Sequence, residues 1–375
     1  MRLLSLQLRS FRAHAETDLE LAPRINVFVG ENGAGKTNLV EAVHYLGLGK
    51  SFLTSTDSHV VRRGADHLDV QARIVGEHRA ETSVRVVVVP GEGKRAFIGG
   101  APLDRLADLI GTIPLVILSP ADHELTAGGP SERRRFLDST LSQAFPVYLD
   151  DLVTYRRTLK QRNALLQQLR RGRAVPSGTL DAWDEELAVR GTRLCDRRRE
   201  FLSGFGAFVA RAYEMLGELG GEPTLDYAPS VDGDTDAFRQ ALARTFRRGR
   251  DLGRTLVGPH LDEVDFKLDG FELRPYASQG QHRTFGLAVR FAQALFLRDH
   301  LDEPPVLLLD DVFGPLDPER SDRVLSVLAS GEIGQSLITA ARAEPFSTNL
   351  TFDGDHASFH VEQGAVSPSR STAPS

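Results

Sequence analysis

The sequence predicts an α/β protein interrupted by a long helical insertion, and three observations carry that expectation. The first and last thirds alternate short β-branched runs with helical spacing, the stretch from Leu149 to Leu216 shows helical spacing alone, and a glycine-rich loop joins an early apolar strand to a helix. At 375 residues the chain exceeds one ordinary domain, so two compact units, or one unit with a large insertion, is the starting expectation.

The elements follow in order. Leu4, Leu6 and Leu8 alternate with Ser5, Gln7 and Arg9, the pattern of a half-buried strand. Residues 25–29 form a short apolar strand entering the glycine-rich loop, after which Leu39, Val40, Val43 and Leu46 recur at helical spacing. Leu68, Val70, Ala72 and Ile74 alternate, residues 83–89 are β-branched, and the turn Gly91-Glu92-Gly93 leads to Ala96 and Ile98, which together read as an antiparallel meander. Leu149, Leu152, Val153, Leu159, Leu166 and Leu169 share one helical face that ends at Gly172. A turn at Pro176 to Gly178 separates it from a longer helix marked by Leu180, Trp183, Leu187, Leu194, Phe201, Phe205, Phe208 and Leu216. At the α-helical rise the first is only about 35 Å long, far short of an extended coiled-coil arm. The last third returns to alternating strand and helix, and the Ser/Pro/Ala-rich stretch past Gly364 reads as disordered. The expected division is therefore 1–122 and 255–363 as one head, 123–254 as an inserted helical arm, and 364–375 as a tail.

Composition limits the function classes. With 41% apolar and 26% charged residues and a mean hydropathy of −0.23, the chain is of soluble globular type. Its longest apolar runs, 113–118 and 306–309, fall far below the roughly 18 residues of a spanning helix. A transporter subunit would thus need a separate membrane partner. The N-terminus lacks a signal peptide's apolar block, so a cytoplasmic location is expected. Cys195 stands alone, which rules out an internal disulfide, and is expected to be a buried small apolar residue; no Cys/His cluster has zinc spacing. A net charge of −6 argues against a nucleic-acid partner, but residues 123–254 carry 22 Arg/Lys against 19 Asp/Glu, making the middle locally basic. Only five of the 45 basic residues are Lys, a bias that genomic base composition also produces.

Gly30-Glu31-Asn32-Gly33-Ala34-Gly35-Lys36-Thr37 satisfies G-x-x-x-x-G-K-[ST] in the required strand-to-helix context. Such a loop wraps ATP phosphates with backbone N–H groups, Lys36 neutralises the β/γ oxygens, and Thr37 offers its hydroxyl to Mg²⁺. Val306 to Leu309 followed by Asp310-Asp311 has the form of a Walker B strand: Asp310 would hold Mg²⁺ through water and Asp311 would polarise the attacking water. Ser278-Gln279-Gly280-Gln281 precedes a helical pattern from Arg283 to Leu297 and matches an S-x-G-Q core suited to a γ-phosphate, with a plain helix cap as the structural alternative. It lies about 30 residues before Asp310, and Gly314-Pro315-Leu316-Asp317 follows where a D-loop would stand.

These motifs in this order resemble the ABC-type head shared with SMC proteins. Further stretches resemble the RecF family specifically: Gly129-Pro130-Ser131-Glu132-Arg133-Arg134-Arg135-Phe136-Leu137-Asp138, Gly258-Pro259-His260-Leu261-Asp262-Glu263, and Tyr276 to Thr284, with Phe11-Arg12 and Asn38 in keeping. The resemblance implies an ABC-type P-loop head with an antiparallel β meander and an inserted α-helical arm. It implies a weak Mg-dependent ATPase whose ATP site uses Gly30 to Asn38, Ser278, Gly280 and Gln281, with Lys36, Asp310 and Asp311 catalytic and Thr37 and Asp310 at the metal. It further implies a homodimer closed by ATP on duplex or gapped DNA, acting with RecR and RecO to assist RecA in repair and at replication forks. The other readings are the energising subunit of an ABC transporter and an SMC-like structural fragment. Three departures stand out: Asp311 replaces the Glu usual in transporter heads, no glutamine occurs near Ser119 to Asp122 where a Q-loop is expected, and Thr339 replaces a switch histidine. The clusters Arg133 to Arg135; Arg156, Arg157, Lys160 and Arg162; Arg170, Arg171 and Arg173; and Arg244, Arg247, Arg248 and Arg250 are candidates for phosphate-backbone contact, with no base-reading motif. The acids Asp150, Asp151, Asp184 and Glu185 favour the competing reading of salt-bridged helix faces.

Overall fold

The computed structural model of the chain describes residues 1–173, 178–217, 221–314, 316–344 and 346–369. Contacts divide the chain into two compact units: Met1–Asp122, Arg211–Leu219 and Leu287–Ser375 form one, and His123–Ala210 with Gly220–Gly286 form the other.

The first unit holds two six-stranded sheets. One is an antiparallel meander in the order His14–Glu20, Arg2–Phe11, Leu68–Val75, Thr82–Val89, Gly93–Ile98 and Ala101–Pro102. The other runs Ala365–Pro368, His356–Glu362, Ile25–Val29, Ser336–Ala340, Val306–Asp310, Leu115–Leu118, with every pairing parallel except that of the first two. The helix Lys36–Leu48 lies between the sheets. Its Leu39, Val40, Val43 and Leu46 join a cluster containing Leu6, Leu8, Val70 and Val84 of the meander and Leu308, Leu337 and Phe359 of the parallel sheet. An element apolar on two sides is the expected filling between two apolar sheet faces. Phe28 and Phe359 stack at 5.2 Å between ring centroids, tying the strand that feeds the glycine-rich loop to its neighbour.

The second unit contains the helices Pro130–Ala144, Pro146–Arg170 and Thr235–Leu252 and the first part of Thr179–Met215. It also holds a three-stranded antiparallel sheet of Phe271–Glu272, Glu263–Leu268 and Pro223–Ala228. This pairing is why the unit runs on to Gly286 and does not end near Arg254: Val264 and Phe266 face Tyr227 and Leu225 across the ladder, so 255–286 folds with the helices before it.

Three local expectations are corrected. Ser5 is buried and Leu4 only half-buried, because a bulge between Leu3 and Ser5 shifts the strand's alternation by one and lets the Ser5 hydroxyl accept from Arg73 Nε at 3.0 Å. The stretch after Gly364 is not all tail: Ala365–Pro368 pairs with His356–Glu362 and ends the parallel sheet. Cys195 is buried, but its Sγ lies 3.7 Å from Asp262 Oδ2, and burial pushes the thiol up to about 12. Its thiol thus joins the polar network around Asp262. Pro176 and Ser177 of the expected inter-helix turn, Pro315 of the D-loop stretch and residues 370–375 of the expected tail lie outside the described residues.

Candidate nucleotide site

The site forms at the carboxyl ends of three adjacent parallel strands, the general ligand position of α/β sheets. Ile25–Val29 delivers the glycine-rich loop, Val306–Asp310 delivers the paired carboxylates, and Ser336–Ala340 runs between them, pairing Thr339 with Asp310 on one side and Phe28 on the other.

In the loop, Glu31, Asn32 and Gly33 are exposed, whereas Ala34 and Lys36 are buried. Gly35 adopts φ 108° as the N-cap of the helix Lys36–Leu48, a left-handed conformation open to glycine at little cost. A Cβ at Gly30 would stand 2.2 Å from the Val361 carbonyl oxygen, so this residue is required by close approach of two backbones. Lys36 Nζ donates to the carbonyls of Gly30 at 2.7 Å and Glu31 at 2.8 Å, which places the ammonium in the loop's mouth. Burial lowers the Lys36 pKa, and Asp311 and Asp310 oppose that shift.

The loop is braced from behind. His14 is fully buried, with Nε2 3.0 Å from the Gly35 carbonyl and Nδ1 3.0 Å from the Thr17 hydroxyl. Because a carbonyl only accepts, Nε2 carries the proton and Nδ1 accepts from Thr17. Burial lowers the His14 pKa, in keeping with a neutral ring. Asn38 accepts from the Ala13 amide at 3.4 Å, and Arg12 grips the buried Glu41 of the same helix at 2.9 and 2.6 Å. Phe11 packs edge-on to Tyr45 at 6.1 Å. Phe11-Arg12 and Asn38 thus join the glycine-loop helix to the first hairpin.

Thr37 Oγ1 donates to Asp310 Oδ1 at 2.8 Å, across 273 residues of sequence. Thr339 Oγ1 donates to the same oxygen at 2.8 Å and accepts from the Asp311 amide at 3.0 Å. Asp310 is 7% exposed, and burial raises its pKa above the ordinary carboxylate value while both hydroxyls and Lys36 pull it down. Asp311 is exposed in a left-handed conformation, φ 51°, which turns it out of the strand. In the sequence Thr339 stands out only as a departure from a switch histidine, because its partners are long-range and no local pattern announces them.

Ser278 and Gln281 cap the helix Gln279–Leu301 reciprocally: Ser278 Oγ accepts from the Gln281 amide at 3.2 Å, and the Ser278 amide donates to Gln281 Oε1 at 2.8 Å. Both residues and Gly280 are exposed, in the second unit. The helix-cap reading is therefore true of Ser278, with the His282 amide also bonded to the Ser278 carbonyl at 2.9 Å. Asp317 caps the helix Pro318–Ala329, accepting from the Arg320 amide at 2.9 Å. In the stretch 119–122, Asp122 accepts from the Ser119 amide at 3.0 Å and from Arg290 at 3.1 and 2.6 Å. Arg290 lies on the helix that begins at the Ser278 cap, so an ion pair occupies the place where a glutamine was sought.

Among the basic clusters, Arg133 and Arg162 are buried and paired with Glu263 and Asp184, Arg156 pairs with Asp138, and Arg250 with Asp251. Arg157, Lys160, Arg170, Arg171, Arg173, Arg244, Arg247 and Arg248 are exposed and form no ion pair among the described residues.

A glycine loop and paired strand-end carboxylates on the two-sheet unit, in a chain that also carries a capped S-x-G-Q helix start, define a P-loop ATPase head of the kind built into SMC proteins. The family described as RecF/RecN/SMC N terminal domain matches residues 2–354. The chain is 47% identical to the DNA replication and repair protein RecF of Salinibacter ruber over 98% of this chain and 93% of that one. It is 38% identical to the protein of the same name from Chloroherpeton thalassium, covering 92% and 96%. A solved structure of the recombination mediator protein RecF with ATP, from the RecFOR pathway, superposes with a TM-score of 0.89 at 27% identity, over 98% of this chain and 97% of that one. An SMC head bound to the C-winged helix domain of ScpA shares the fold alone, at a TM-score of 0.57 and 16% identity. The chain belongs to the RecF family and is an ATP-hydrolysing P-loop enzyme of ABC type; the transporter reading finds no support among these relatives. No helix of the described residues is long and apolar enough to cross a membrane.

Proposed function

We propose that this chain, a recombination mediator of RecF type, acts as an ATP-timed clamp: ATP closes a homodimer on duplex or gapped DNA, and slow hydrolysis reopens it. The observation that carries the reading is the meeting of Thr37 and Asp310 at 2.8 Å with exposed Asp311 next in line. In this reading the loop residues Gly30 to Thr37 wrap the triphosphate and Lys36 leaves the Gly30 and Glu31 carbonyls for the β/γ oxygens. Asp311 orients the attacking water and accepts its proton as the γ-phosphoryl group transfers.

Thr37 and Asp310 fit Mg²⁺: both offer hard oxygens within 2.8 Å of each other, Thr37 to hold the ion through its hydroxyl and Asp310 to hold it through water. No group of three or more His, Cys, Asp or Glu is gathered for a metal among the described residues, so the ion's other positions fall to nucleotide oxygens and water. Bound there, Mg²⁺ would neutralise charge on the phosphates.

Ser278, Gly280 and Gln281, at the exposed start of the helix Gln279–Leu301, suit the γ-phosphate held by a second copy of the chain through the Ser278 hydroxyl and the Gly280 amide, which makes dimer closure depend on ATP. The exposed arginines on Pro146–Arg170 and Thr235–Leu252 that form no ion pair among the described residues suit a phosphate backbone read without sequence preference. Working with RecR and RecO to assist RecA loading, in the cytoplasm, completes the proposal and rests on the family.

Sedimentation of the chain with and without ATP, and with duplex or gapped DNA, tests it. ATP is expected to double the sedimenting mass and to bring DNA with the dimer. An unchanged mass with ATP and DNA together would remove the clamp.

A further inference from the structure

The second unit contains a cavity of about 250 Å³ for which the ATPase chemistry has no use. Two of the stretches that resemble the RecF family outside the ATPase motifs meet on its wall. Ser131, Arg134, Arg135 and Asp138 come from Gly129 to Asp138, and His260 comes from Gly258 to Glu263; Tyr155, Arg156 and Arg198 complete the polar lining.

Most of these charges are committed. Arg198 is 1% exposed and bridges Asp138 at 2.7 Å and Asp262 at 2.8 Å. Arg156 takes the second Asp138 oxygen at 2.6 Å, and Arg135 pairs with Glu132 at 2.5 Å. Arg134 differs. It is half-buried, its Nη1 donates to the Asp262 backbone carbonyl at 2.6 Å, and it makes no ion pair among the described residues. Burial lowers its pKa and the charge of Arg198 adds to the effect, while the charges of Glu263, Asp262 and Asp138 oppose it. Burial also pushes His260 down to about 4, so the ring is neutral at physiological pH and the positive charge of the wall is guanidinium alone. Four arginines against Asp138, Asp262 and Glu132 leave one positive charge over, and the geometry puts it on Arg134.

We propose that this cavity binds a phosphate monoester carried on a sugar-sized body. A half-buried guanidinium without a counter-ion is completed by an anion that accepts its remaining N–H groups. A dianionic terminal phosphate suits a concave pocket better than an internal phosphodiester, which has one charge and chain on both sides. The volume exceeds that of a bare phosphate, and Leu152 supplies an apolar wall for the body that bears it. A free sugar phosphate and the phosphorylated end of a nucleic-acid strand share this chemistry.

The test uses the full chain with saturating Mg-ADP, so that the glycine-rich loop is occupied. Calorimetric titration with ribose 5-phosphate is paired with anisotropy of a short labelled oligonucleotide carrying a 5′-phosphate and of its 5′-hydroxyl twin. Binding of ribose 5-phosphate, or preference for the phosphorylated strand, is expected. Arg134→Gln should weaken it about tenfold or more, the value of one charged hydrogen bond. Arg135→Ala, on an exposed position paired with Glu132 of its own helix, should weaken it too. ATP turnover and melting temperature should match the parent in both variants. Ribose 5-phosphate binding without strand preference identifies a free sugar phosphate as the source, and strand preference identifies a nucleic-acid end. No binding of the sugar phosphate together with equal binding of the two strands overturns the proposal and leaves backbone DNA binding intact. Parent-like binding by both variants overturns it as well.

Discussion

The hydroxyl of Thr339 bridges the two Walker B carboxylate residues, donating to Asp310 Oδ1 at 2.8 Å and accepting from the Asp311 amide at 3.0 Å. It therefore sets the orientation of a buried acid and, through the backbone, the exit direction of an exposed one. Thr339→Val keeps the shape and removes both bonds. Turnover is expected to fall about tenfold to a hundredfold, the range for a lost hydrogen bond to a buried charge, while ATP binding stays near the parent's. Thr339→Ser should recover most of the rate. Phosphate release and equilibrium nucleotide binding check this, and an unchanged Thr339→Val rate would contradict it.

Lys36 is the one cation inside the loop, and its present partners are only carbonyl oxygens. Lys36→Met should reduce turnover by about a hundredfold or more, as removal of a transition-state charge partner does. Parent-like phosphate release from the pure variant would take the glycine-rich loop out of the mechanism.

Acid should destabilise the chain. Burial lowers the pKa values of His44 and His260 from 6.5 to about 4. Between those values the unfolded chain binds protons that the folded chain refuses, so stability is complete above about pH 6.5 and is lost as pH falls toward 4, by at most about 1.4 kcal/mol per pH unit per group. His44→Gln and His260→Gln should each flatten the fall of melting temperature across that window. A melting temperature that rises on acidification would contradict the sign.

DNA affinity is expected to be electrostatic. It should fall about tenfold or more between 50 and 200 mM salt on any sequence. Arg247→Glu with Arg248→Glu should weaken binding uniformly across sequences. Arg162 is a poor choice for such a test, since it is 2% exposed and its loss would uncover Asp184. Salt-independent affinity would contradict the basic-surface reading.

Much of the first unit was legible because its signals are local. The glycine-rich loop, the strand 306–310 and the meander each depend on spacing within a few residues. What stayed hidden depends on distant partners. Nothing near Thr339 or Asp122 announces Asp310 or Arg290, and Arg133 and Arg162 look like surface charge until Glu263 and Asp184 are brought to them. The strand Ala365–Pro368 is Ser/Pro-containing and forms because the neighbouring strand offers an edge, which composition cannot report.

The most direct test of the central claim is sedimentation of two variants with ATP, beside assays of nucleotide binding and phosphate release. Ser278→Arg puts bulk where a second copy's γ-phosphate would approach, and Asp311→Asn keeps size while weakening water activation. The clamp predicts opposite outcomes: Ser278→Arg binds ATP yet stays monomeric, and Asp311→Asn accumulates as an ATP-bound dimer that hydrolyses poorly. If Asp311→Asn hydrolyses normally, the base lies elsewhere, and Asp122 and Asp317, engaged by Arg290 and a helix amide, are the next to test. A Ser278→Arg chain that dimerises with ATP as the parent does would leave Ser278 as a helix cap alone and contradict the shared site.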